Sequence, residues 1–61
     1  MWVLEYSVSQ DYFNIDTLER VLEMNIEAMK AKMSNDYKII AICENQDEAR
    51  YLADKFRREI E

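Results

Sequence analysis

The chain has 61 residues (7.4 kDa), with 8 basic and 13 acidic side chains, a formal charge of −5, one Cys, and no His, Gly or Pro. Those absences exclude glycine-rich phosphate cradles, histidine acid–base chemistry and the commonest transition-metal ligand sets. A domain this short buries only about 60% of the surface its unfolded chain exposes, so we expect one compact domain over residues 1–61, without a linker, that associates with a second copy.

Clustered Lys and Arg are what a protein uses to displace counterions from a nucleic-acid backbone, so the acidic balance predicts no direct nucleic-acid contact and favours a basic protein surface as partner. A membrane span needs about 20 mostly apolar residues, far more than the longest apolar run, Ile39-Ile40-Ala41-Ile42-Cys43, supplies. The first residues lack the basic flank and apolar stretch of a signal peptide, and the lone Cys43 cannot close an intramolecular disulfide. A cytoplasmic protein is expected.

Along the chain, Trp2-Val3-Leu4-Glu5-Tyr6-Ser7-Val8 alternates, which predicts a half-buried strand with Trp2, Leu4, Tyr6 and Val8 facing inward. After Ser9-Gln10-Asp11, a second short strand is expected over Tyr12–Ile15, with Phe13 and Ile15 inward and Tyr12 and Asn14 outward. Asp16-Thr17-Leu18-Glu19 resembles a capping box with Asp16 as the cap, predicting a helix from Thr17 to Met33. Its wheel gathers Leu18, Val21, Leu22, Ala28, Met29 and Met33 on one side, with Ile26 at the edge.

Ser34-Asn35-Asp36 supplies the turn in place of Gly, and Tyr37–Cys43, rich in β-branched residues and apolar on both faces, has the character of an inner strand. Asn45-Gln46-Asp47-Glu48 repeats the capping logic before a second helix with a narrow stripe of Ala49, Leu52, Ala53, Phe56 and Ile60. The order is ββαβα. The predicted fold is α+β: a small three-stranded sheet, order 2-1-3, with two helices packed on one face.

Candidate functional residues are few. Glu19, Glu23 and Glu27 form an acidic row four residues apart, interrupted as a field by Arg20, Lys30 and Lys32, and read either as a solvated face or as a rim for a basic partner. Met24, beside Ala28 and Ala31, forms an adaptable contact strip. Tyr51 lies opposite the apolar stripe of the second helix, which suits a partner contact, and Tyr12 offers a ring on the edge strand. Asn25 falls inside the apolar arc of the first helix and requires a hydrogen-bond partner, either a strand end or loop, or a second copy. Cys43 reads as a small buried apolar residue, since a nucleophile would need a base and there is no His. No enzymatic activity, cofactor or metal is expected.

Taken across the chain, Trp2-Val-Leu-Glu-Tyr-Ser, Tyr12-Phe-Asn-Ile, Asp16-Thr-Leu-Glu, Tyr37-Lys-Ile-Ile-Ala-Ile-Cys and Asp47-Glu-Ala-Arg resemble small accessory proteins of phages and prophages. In size and acidity the chain is similar to anti-defence inhibitors of the anti-Hachiman kind. That resemblance implies a viral protein of the host cytoplasm that binds and blocks a bacterial defence protein without catalysis. The composition alone predicts a protein-binding module: a stoichiometric inhibitor acting through Tyr51, Met24, Glu23, Glu27 and Tyr12, or a regulatory or oligomerisation domain.

Overall fold

The computed structural model describes residues 1–60. The elements run β1 (Trp2–Ser7), β2 (Tyr12–Thr17), α1 (Leu18–Lys30), β3 (Tyr37–Cys43) and α2 (Gln46–Ile60). The sheet order is β2-β1-β3, with β1 antiparallel to both neighbours. Strands β2 and β3 therefore run parallel on either side of β1, and α1 is the crossover between them. The α+β class, the ββαβα order and the strand order are those the sequence predicts.

Strand register defines two faces. Leu4 stands opposite Ile15 and Ala41, and Tyr6 opposite Phe13; Val3 stands opposite Asp16 and Ile42, Glu5 opposite Asn14 and Ile39, and Ser7 opposite Tyr12 and Tyr37. Helix α2 lies on the Leu4 face and reaches all three strands, with the small, fully buried Ala49 admitting close approach. At its far end the Arg57 guanidinium stands 5.0 Å from the centroid of the Phe13 ring, which itself packs 4.7 Å from Tyr6. Arg57 also binds Asp11 twice, through Nη1 to Oδ1 at 2.9 Å and Nη2 to the backbone carbonyl at 3.0 Å. Asp11 has φ 52 and so supplies the left-handed step of the β1–β2 turn without glycine.

The expected single layer of two helices is corrected by the packing. Val3 and Ser7 are fully buried and Glu5 nearly so, all on the face away from Leu4, while α1 and α2 scarcely meet. Helix α1 and the loops at its end cover that second face. Three strands are only about 10 Å wide, the diameter of one helix with its side chains, so each face has room for one helix. The Cα extents of 34 × 25 × 11 Å, with the short axis matching the sheet width, agree. The half-buried reading of β1 is corrected for the same reason: as the middle strand it is covered on both sides.

Helix α1 begins one residue later than its sequence suggests. Strand β2 continues through Thr17, and Thr17 rather than Asp16 caps the helix, its side-chain oxygen accepting from the Arg20 amide at 3.3 Å. Asp16 instead accepts from the Thr17 amide at 2.8 Å and pairs with Arg20 at 3.0 Å. The helix stops at Lys30, before the expected Met33, because Lys32 turns left-handed (φ 56). The Lys32 amide then bonds to the Met29 carbonyl at 3.1 Å and the Met33 amide to the Ala28 carbonyl at 2.9 Å, a Schellman ending. The left-handed residue is thus Lys32, ahead of the Ser34–Asp36 stretch expected to provide it.

The α1 stripe that faces the sheet is narrow: Val21 is buried and Leu18, Asn25 and Ala28 are half-buried. Leu22, Ile26, Met29 and Met33, expected inside or at the edge, are exposed. Strand β3, despite its inner-strand composition, occupies a sheet edge. A bulge leaves Ile40 without an opposite residue between the Leu4–Ala41 and Glu5–Ile39 pairs, so Ile39 and Ile42 both fall on the Val3 face.

Candidate functional site

The segment joining α1 to β3 is held by polar side chains. Asn35 donates from its Nδ2 to the Oδ1 of Asn25 on α1 and accepts the Tyr37 amide on its own Oδ1 at 3.0 Å. Asp36 accepts hydroxyl hydrogen bonds from Ser7 and, at 2.6 Å, from Ser9, and the Gln10 amide bonds back to the Ser7 hydroxyl at 3.2 Å. Donation from Ser7, then from Ser9, holds the Asp36 carboxyl below its ordinary pKa. Helix, loop and strand ends are tied together at one end of the molecule, and the partner Asn25 requires is the Asn35 side chain.

That arrangement leaves an open groove of ≈ 440 Å³ between the C-terminal half of α1 and the loop. Met24, Ala28, Met33 and Tyr37 supply its apolar lining, and the charged residues along it, Glu27 and Asp36, are both acidic. Met24 is exposed and Tyr37 half-buried, so one flexible and one anchored apolar group face the opening. A groove of this makeup accommodates an apolar side chain carried next to a cation.

Met24 and Glu27 are the two predicted site residues that the fold brings together. Glu23 is exposed on α1 outside the groove lining. Tyr12 is exposed on β2 at the opposite sheet edge from β3, and Tyr51 is exposed on α2, the helix covering the other face. The five therefore belong to separate surfaces, because each helix has its own face of the sheet. Met33 and Tyr37 are groove residues that sequence reasoning missed. Their signal is the non-glycine helix ending, which folds the chain back so that residues beyond the helix face Met24 and Ala28.

Cys43 is buried opposite Trp2 at the end of β3, and burial, with the charge of Glu48 second, pushes its thiol pKa up. It cannot serve as a poised thiolate. Among the described residues, no group of three or more His, Cys, Asp or Glu side chains is placed to hold a metal ion, and no helix is long and apolar enough to cross a membrane. No protein-family model, curated protein or solved structure matches the chain.

Proposed function

We propose that the chain is a non-enzymatic protein-binding module that acts stoichiometrically, by covering a surface of its partner. The observation that carries this reading is the Met24–Ala28–Met33–Tyr37 groove with Glu27 and Asp36 beside it. Its occupant is an apolar side chain on a protein segment flanked by Lys or Arg. Burial of that side chain supplies the affinity, and the carboxylates, with the net charge of −5, speed encounter with a basic surface. The resemblance to anti-defence inhibitors makes a bacterial defence protein the first partner to try, with inhibition by occlusion as the outcome.

Capture from a bacterial host lysate, run in parallel with Met24→Asp, Glu27→Lys and Tyr51→Ala, tests the reading. A stoichiometric partner held by the wild type and by Tyr51→Ala, lost from Met24→Asp, and bound more slowly by Glu27→Lys is expected. Equal capture by all four places binding off the groove. Turnover of any substrate by the purified chain contradicts the non-enzymatic reading.

A further inference from the structure

We propose that two copies of the chain pair through α1, the helices antiparallel about a two-fold axis at Ile26. Leu22, Ile26 and Met29 follow one another at spacings of four and three residues, which sets them in one line along the helix. The line that rests on the sheet runs through Leu18, Val21, Asn25 and Ala28, about a quarter-turn around the helix, so the second line is left uncovered. Leu22 is 49% exposed, Ile26 51% and Met29 77%.

Surface area supports a second copy as the occupant. A monomer of 7.4 kDa is expected to expose about 4,200 Å². This chain exposes 4735 Å², and the surplus of about 500 Å² is a large part of the about 800 Å² that each partner contributes to a standard interface. Among the described residues the buried hydrophobic side chains are confined to Val3, Leu4, Val21, Cys43 and Ala49, so α1 gives the core a single large apolar side chain and leaves three outside.

Charge complementarity selects both the partner and the direction. Glu23 and Lys30 are exposed on the flank of the line that faces away from the sheet, and among the described residues neither has an ion-pair partner. Glu23 precedes Lys30 by the same interval that separates Leu22 from Met29, and Ile26 lies close to the middle of both. An antiparallel pair centred on Ile26 therefore sets Ile26 against its own copy, Leu22 of each copy against Met29 of the other, and Glu23 of each against Lys30 of the other. An isologous contact makes each unlike pair twice, so the surface is its own complement. A parallel pair would turn the solvent flank of one helix to the sheet flank of the other and part Glu23 from Lys30. Met24 lies about 160° around the helix from Ile26, so both copies keep the groove open.

Sedimentation velocity at low salt, over concentrations up to about 100 µM, reads the outcome directly. The expected species has twice the mass of 7.4 kDa. Ile26→Glu places two carboxylates together at the axis and should give a monomer with the wild-type far-UV circular dichroism. Glu23→Lys and Lys30→Glu, each alone, should weaken the dimer about tenfold, and an equimolar mixture of the two variants should recover it, because both ion pairs form again between unlike copies. Glu23 and Lys30 are exposed, so the mixture decides the matter even where Ile26→Glu unfolds the chain. A wild type that stays monomeric, a folded Ile26→Glu dimer, or a mixture that associates no more tightly than its components overturns the proposal. Met24→Asp should leave the mass unchanged, which separates this interface from the groove.

Discussion

The Asp36 carboxylate accepts the hydroxyl of Ser7 across 29 residues of chain, fastening the start of β3 to the end of β1. Its folded pKa lies below the ordinary carboxylate value because Ser7, then Ser9, donates to the charged form. Asp11 is lowered likewise, by the Tyr6 hydroxyl first and by Arg57. The unfolded chain takes up these protons more readily, near pH 4, so the stabilisation is present above that value and is lost as pH falls through the folded pKa values. Urea midpoints between about pH 5 and pH 2 should fall less steeply for Asp36→Asn than for the wild type. An unchanged slope would remove Asp36 as a source of acid sensitivity.

Lys32 closes α1 in a conformation that costs a side-chain-bearing residue free energy and costs glycine little. Lys32→Gly should therefore stabilise the fold by about 0.5–1 kcal/mol, less than the full left-handed penalty because glycine also gains freedom in the unfolded chain. Glu23→Gly, exposed in the helix interior, should do the reverse by about 1 kcal/mol. Denaturant unfolding of the two variants side by side checks both signs. Destabilisation by Lys32→Gly would contradict the assigned helix ending.

Strand and helix periodicity carried the element order, because Leu4/Tyr6 and Phe13/Ile15 alternate and Ala49, Leu52, Ala53 and Phe56 recur at helical spacing. Coverage was not legible. Val3, Glu5 and Ser7 read as an outer face, yet they are buried because β1 takes the middle position and a three-stranded sheet is one helix wide. Leu22 and Met29 belong to the apolar arc of the wheel and are nevertheless exposed, since α1 rests on the narrower line through Val21. The groove was half visible, through Met24 and Glu27; Met33 and Tyr37 join it only once Lys32 has reversed the chain.

Asn25 and Asn35 should behave as one unit. Asn25→Ala removes one hydrogen bond at a half-buried position and should cost about 1 kcal/mol. Asn35→Ala should cost more, because it also frees the Tyr37 amide. The double variant should cost less than the sum of the two, since the bond they share can be lost only once. Strict additivity in urea unfolding would show that the two amides act separately.

Cys43 provides an internal probe of stability. Its thiol is about 1% exposed and its pKa is raised by burial, so a thiol reagent can react only after the β3 end opens. A domain of this size holds about 3–5 kcal/mol, which places native labelling about 10²–10³-fold or more below that of the urea-unfolded chain. Stopped-flow labelling near pH 8, with and without urea, measures that ratio. Labelling at the unfolded rate in native buffer would contradict the burial of Cys43.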